Sequence, residues 1–168
     1  MTRAFKIIPL LFLFLLATMS NTWAQVEEDP ATWKVSVVKK NGAEYDLVFK
    51  LKLKKNWHIW SLSPGGDGMQ MPPEFEITPA AGVSVVGKPT ESGHKISGEF
   101  PGAIEGIVYY FHDEVTYTQK LKVKANATVK GFYTYQVCNE STCQSPKTKP
   151  FTVTITDAAT GDVSAIAE

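Results

Sequence analysis

The chain has 168 residues, 43% hydrophobic and 20% charged, with 12 Gly and 10 Pro. Lys+Arg and Asp+Glu both number 17, so the formal charge is zero. That composition excludes collagen-like, disordered and coiled-coil chains, and it lacks the basic excess that nucleic acid as the main partner requires.

Residues 1–24 read as a secretory signal peptide. Arg3 and Lys6 open it, an apolar run over 7–17 is broken only by Pro9, and Thr22 and Ala24 put small residues at the −3 and −1 positions of a cleavage site. The run is shorter than the roughly 20 residues of a membrane span, and no Cys follows it to take a lipid anchor. An exported mature chain is expected, slightly acidic once Arg3 and Lys6 are gone. Residues 25–31 form a polar, acidic lead-in that is expected to fray.

Almost everything after that reads as strand. Trp33, Val35 and Val37 alternate with polar residues, and Asn41-Gly42 signals a hairpin turn. Tyr45, Leu47, Phe49, Leu51 and Leu53 then alternate with Asp46, Lys50, Lys52 and Lys54, the period of a half-buried antiparallel strand. A short strand starts over 56–60, and Gly and Pro make 61–73 a loop. Phe75 and Ile77 alternate, residues 79–82 turn, and 83–86 form a strand. Residues 87–106 hold no sustained period and read as a long loop, a length uncommon without a function. Residues 107–111 are apolar and aromatic, and His112-Asp113-Glu114 reads as a turn. Further alternation follows at Val115, Tyr117, Leu121 and Val123, at Val129, Tyr133, Tyr135 and Val137, and at Phe151, Val153 and Ile155. The tail 157–168 is rich in small residues and expected to be loose. Short strands joined by Gly/Pro turns predict an all-β, immunoglobulin-like antiparallel sandwich over 32–156.

The two cysteines, Cys138 and Cys143, end one strand and precede Ser145-Pro146. Outside the cytosol such a pair is normally a disulfide. Its loop holds only Asn139, Glu140, Ser141 and Thr142. Closing it is worth about 2 kcal/mol in chain entropy, so the spacing leaves a weak staple and a redox pair both open. Glu140 would tend to raise a nearby thiol pKa, which argues against an aggressive oxidant. His58, between Trp57 and Ile59-Trp60, is a candidate acid–base group, with packing at an aromatic strand end as the preferred reading. Met69 and Met71 with His58 or His94 would suit Cu(I), although two Met beside Pro72-Pro73 also fit an ordinary loop. His94 and His112 read as solvated turn residues. Asn126-Ala127-Thr128 and Asn139-Glu140-Ser141 match the glycosylation pattern, which chance alone often produces.

The segment Tyr135-Gln136-Val137-Cys138-Asn139-Glu140-Ser141-Thr142-Cys143-Gln144-Ser145-Pro146 resembles the Tyr-Gln-x-Cys…Cys-x-Pro-Pro segment of the N-terminal periplasmic domain of the thiol:disulfide interchange protein DsbD. Asn56-Trp57-His58-Ile59-Trp60-Ser61 and residues 65–75 are similar to that domain's Trp-His-Ile-Tyr-Ser and Gly-Gly-Pro-x-Pro-Thr segments, with Trp60 where Tyr is common. Residues 116–120 and Lys130-Gly131 keep the same order. The likeness covers roughly residues 33–155 and is to a stand-alone version, without the membrane and thioredoxin-like modules.

The resemblance implies a periplasmic, monomeric shuttle that needs no cofactor. Such a protein-disulfide reductase component takes electrons from a membrane redox module through a thioredoxin-like domain. It passes them to exported proteins such as disulfide isomerases and cytochrome c maturation thioredoxins. By that similarity Cys143 forms the mixed disulfide and Cys138 resolves it, with His58, Trp60, Tyr135 and Glu140 nearby. The family shields its cysteines with a cap loop bearing an aromatic side chain. That cap falls within 87–106, with Phe100 as the shielding residue and Ile104 as the fallback. Two other readings remain: a binding module of the same fold with a purely structural disulfide, and an exported copper-handling protein.

Overall fold

The computed structural model describes residues 28–100, 104–124, 126–155 and 165–166; the signal peptide proposed for 1–24 lies outside them. Ten strands form among the described residues: β1 (Ala31–Lys39), β2 (Glu44–Leu53), β3 (His58–Gly65), β4 (Glu74–Ile77), β5 (Val83–Phe100), β6 (Ile104–Val123), β7 (Ala127–Tyr135), β8 (Val137–Cys138), β9 (Lys147–Ile155) and β10 (Ala165–Ile166). No helix among these residues is long and apolar enough to cross a membrane.

The strands make two antiparallel sheets. One runs β1-β2-β6-β3-β8, with β5 also paired to β6; the other runs β10-β9-β7-β4. Strand β6 organises the first. Its residues 114–122 pair with β2, residues 108–112 pair with β3, and β5 follows it nearly end to end. The sheet therefore continues past the core at the β3 end, and the cysteine strand β8 is added there against β3.

The period-two pattern decides which side chains enter the sandwich. Tyr45, Leu47, Phe49, Leu51 and Leu53 of β2 are buried while Lys50 and Lys52 are exposed. Val115, Tyr117, Leu121 and Val123 of β6 and Val129, Tyr133 and Tyr135 of β7 join them. Rings from the two sheets interleave. Phe49 lies 4.5 Å from Phe75 and 5.1 Å from Phe151, and Trp33 lies 4.9 Å from Tyr133 and 5.1 Å from Tyr135. Gly131 lets β7 pass at this density, because a Cβ there would stand 2.0 Å from the Glu76 carbonyl oxygen.

Three regions differ from the sequence reading. The described residues of 87–106 are not a long loop: 87–100 belong to β5, which runs to Phe100, and 104–106 to β6, which starts at Ile104, the two paired as a hairpin arm. Register shifts at Val86/Thr90, Gly93/Lys95 and Gly98/Phe100 break the alternation, which hid the strands. Gln119, only 4% exposed, supports the first shift: its Nε2 donates to the carbonyls of Val86 (3.0 Å) and Gly87 (3.4 Å). His112-Asp113-Glu114 is a bulge within β6 rather than a turn, with Asp113 at φ 60°. Strand β3 continues to Gly65 through what reads as loop; inside its register break, Ser61 Oγ and Leu62 N–H donate to the Glu91 carboxylate at 2.6 and 2.7 Å. Two short pieces of the ends are described as strand. Ala31, 8% exposed, already belongs to β1, and Ala165–Ile166 pairs with β9.

Truncating Phe49 to Ala should cost about 3–5 kcal/mol, because its ring fills the space between the sheets. Val38→Ala, at a position 46% exposed on the outside, should stay within about 0.5 kcal/mol. Equilibrium urea denaturation of the two variants checks the contrast.

Candidate redox site

Strand β7 ends at Tyr135, and the chain crosses to the other sheet to form β8. Val137 pairs with Ile59 and Cys138 with His58. A tight hairpin then returns the chain: Asn139 N–H donates to the Thr142 carbonyl at 2.8 Å, and Gln144 N–H donates to the Val137 carbonyl at 3.0 Å. The Asn139 side chain shapes the turn, its Oδ1 accepting the N–H groups of Ser141 (2.8 Å) and Thr142 (2.9 Å). That is the local chemistry that makes Asn a turn residue. The disulfide Cys138–Cys143 closes this hairpin across facing backbones, with Cα atoms 3.9 Å apart. Its halves differ: Cys138 is 2% exposed, whereas Cys143 lies on the surface.

Facing residues of paired strands share a side of the sheet. Cys138, His58 and His112 are register neighbours across β8, β3 and β6, and Trp60 pairs with Tyr110 in the next such row. Alternation puts these residues on the side opposite Ile59, Phe111 and Val137, which belong to the sandwich core. They form a second aromatic cluster, with His58 4.9 Å from Trp60, 5.2 Å from Tyr110 and 5.9 Å from His112 between ring centres. Burial, then the neighbouring His112, lowers the His58 pKa to about 4, so His58 is neutral at neutral pH. His112 is not a solvated turn residue: it is half-buried, and its Nδ1 donates to the Trp57 carbonyl at 2.8 Å. A carbonyl can only accept, so that bond fixes the ring's tautomer.

The other predicted residues are spread around this centre. Phe100 and Ile104 are register partners at the end of the β5–β6 arm; Ile104 is half-buried, and the Phe100 side chain lies outside the described residues. Glu140 is exposed in the cysteine turn. Tyr135 is at the base of the hairpin, where its hydroxyl donates to Asp29 Oδ2 at 2.5 Å. Met69 is 83% exposed, Met71 is half-buried and His94 is exposed. Among the described residues no group of three or more His, Cys, Asp or Glu is placed to hold a metal ion.

Asp29 is the residue that reading the sequence missed, because it lies in the acidic lead-in. Its Oδ1 accepts from Ala31 N–H at 3.0 Å, and its Oδ2 faces Lys147 Nζ at 3.2 Å and Lys149 Nζ at 3.5 Å. Burial raises its carboxyl pKa, but the bonds from Tyr135, Ala31 and Lys147 outweigh burial and hold it below the usual value. Burial, and then Asp29, push the Tyr135 hydroxyl well above the ordinary phenol range.

An antiparallel sandwich that carries a disulfide on a short hairpin, one half open to solvent, leaves one sulfur accessible to the in-line attack that thiol–disulfide exchange requires. The chain belongs to the family described as thiol:disulfide interchange protein DsbD, N-terminal, whose model matches residues 24–155. No curated protein matches the chain. Among solved structures, the N-terminal periplasmic domain of ScsB from Proteus mirabilis is similar, with a TM-score of 0.55 and 18% identity over 74% of this chain and 47% of that one. The chain thus spans about half of that structure's length. The reduced N-terminal domain of DsbD from Neisseria meningitidis is similar at a TM-score of 0.47 and 17% identity, over 73% of this chain and 85% of that one. A complex of the DsbD and PilB N-terminal domains from the same organism follows at 0.47 and 16%, over 71% and 80%.

The His58 environment gives a pH prediction. An unfolded histidine takes up its proton near pH 6.5, whereas folded His58 refuses it until about pH 4. Stability attributable to His58 is therefore complete above pH 6.5 and falls as pH drops towards 4, by on the order of 3 kcal/mol at most. His58→Gln should flatten that part of the stability–pH curve. An identical slope in the variant would contradict the assignment.

Proposed function

We propose that this protein is a periplasmic dithiol/disulfide carrier that passes reducing equivalents from a membrane-linked redox module to exported protein partners. The observation that carries the reading is the asymmetry of the pair: Cys143 is exposed and Cys138 is 2% exposed on a turn preformed by Asn139. Exchange requires a thiolate to approach one sulfur in line, through a mixed disulfide, and only the Cys143 side of the hairpin is open to such an approach.

In the delivery step the Cys143 thiolate attacks a partner disulfide. A Cys143–partner bond forms, the partner's own S–S bond breaks, and one partner sulfur leaves as a thiolate. Cys138 then loses its proton and attacks Cys143 Sγ. The second partner sulfur leaves, the Cys138–Cys143 bond reforms, and two electrons and two protons have moved to the partner. Recharging runs the same steps backwards, with a thioredoxin-like dithiol attacking Cys143. The exchange itself calls for no cofactor.

A staple explains the hairpin less well. Hydrogen bonds already shape the turn, and a loop this short contributes only about 2 kcal/mol in chain entropy. The β5–β6 arm supports a cap role for Phe100. Its register brings Phe100 and Ile104 to the end of the arm, and the arm's Tyr110 belongs to the aromatic cluster beside Cys138.

Cys138→Ser should accumulate mixed disulfides through Cys143, seen as reducible adducts on non-reducing gels. Equal trapping through Cys138 in a Cys143→Ser variant would reverse the roles. The pair should equilibrate with glutathione or dithiothreitol buffers at roughly −180 to −270 mV, whereas a value below about −300 mV would mean a staple. Phe100→Ala should speed alkylation of the reduced pair several-fold, and an unchanged rate would remove Phe100 as the cap.

A further inference from the structure

We propose that Asp29 is a positioning residue for the disulfide, its carboxylate clamping both feet of the cysteine hairpin to the start of β1. This rests on the redox reading above. Tyr135 and Lys147 form the last register pair of the β7–β9 ladder, and the segment between them contains both cysteines. Asp29 Oδ2 meets the two feet together, 2.5 Å from the Tyr135 hydroxyl and 3.2 Å from Lys147 Nζ. Oδ1 is held by Ala31 N–H at 3.0 Å, and Ala31 pairs with Leu53 at the start of the β1–β2 ladder. The clamp thus ties one sheet to the other at the root of the hairpin.

The contact is relayed towards the sulfurs. Lys147 Nζ donates to Gln144 Oε1 at 2.8 Å, and the Gln144 carbonyl accepts from Gln136 Nε2 at 3.1 Å. Gln144, 7% exposed, follows Cys143 directly, and its N–H bonds to Val137, the residue before Cys138. Asp29, Lys147, Gln144 and the two cysteine backbones therefore form one connected path.

Its chemical meaning lies in the dithiol state. When two thiols close to a disulfide, an external disulfide such as oxidised glutathione is reduced to two thiols. The equilibrium constant for that exchange rises with the effective concentration of one cysteine at the other. With the S–S bond open, the feet of the hairpin and its internal hydrogen bonds hold the cysteines together. Loosening the feet lets the thiols separate and makes ring closure less favourable. A side chain 106 residues away from Tyr135 in sequence thus helps to set how readily the pair gives up its electrons.

The test compares equilibrium constants for disulfide formation in glutathione buffers, using the full mature chain. Asp29→Asn should lower the constant by about threefold or more, since it removes a charge-assisted contact to both feet. Tyr135→Phe, which removes one hydroxyl, should lower it in the same direction by less. Lys149→Met, which trims only the outer ion pair at 3.5 Å, should leave it unchanged. Val129→Ala, a core truncation, controls for general loss of stability and should also leave it unchanged. An unaltered constant in folded Asp29→Asn overturns the proposal, and so does an unaltered constant in Tyr135→Phe if Asp29→Asn does not fold. A fall of equal size in Val129→Ala overturns it as well. The wild-type constant judges the carrier reading separately, because a non-exchanging staple would be seen there whatever the variants do.

Discussion

A strand of twenty residues must satisfy its backbone hydrogen bonds along both edges, and β6 meets that demand with more than one partner. Its outer edge is followed by β5. Its inner edge is divided between β2, which brings the sandwich core, and β3, which brings the cysteine strand. The core and the cysteine hairpin are therefore joined to successive segments of one hydrogen-bonded ladder. The disulfide hairpin is held by a rigid extension of the sheet rather than by a free loop. Rigidity of that kind suits exchange, where the reacting sulfurs must align on a line of attack.

The same ladder separates two apolar populations. On the sandwich side of β3 and β6, Ile59 and Phe111 join the main core; on the other side, His58, Trp60, Tyr110 and His112 form a smaller cluster beside Cys138. A neutral histidine suits this second cluster, since burying a charged ring there would cost more than its contacts return. The buried half of the disulfide thus lies across the ladder from His58, at the edge of this ring cluster, while the exposed half is left in water.

The sandwich and its core were legible because β2, the C-terminal half of β6, β7 and β9 largely keep the two-residue period, broken by apolar residues at outward positions such as Val48 and Phe132, and every residue predicted to be inside on β2 is buried there. The cysteine pair was legible for the same reason, since the Tyr133, Tyr135 and Val137 series runs straight to it. The β5–β6 arm was not. Each bulge moves the side chains by one position, so a strand with three register shifts loses the period that announces it. Gly87, at φ 68° beside the first shift, looks like loop punctuation in sequence but serves a bulge in the fold. Asp29 was hidden for a different reason. Its partners Tyr135 and Lys147 lie more than a hundred residues away, and nothing local in Glu28-Asp29-Pro30 marks a carboxylate that the fold will use.

Those bulges have a consequence for the protein's behaviour in a crowded compartment. Among the described residues β5 has a ladder with β6 alone, leaving the other edge of a strand eighteen residues long without a strand partner. A straight edge of that length would offer a continuous row of amide and carbonyl groups to any extended chain, the starting point of amyloid-like growth. Here the row is interrupted at Val86/Thr90, Gly93/Lys95 and Gly98/Phe100, and Lys88-Pro89 falls within the first gap. Proline cannot donate, and a lysine on an edge is costly to cover. The irregularity that disguised the arm in sequence also breaks a long edge into shorter segments, each a poorer template for a stray strand than one straight edge would be.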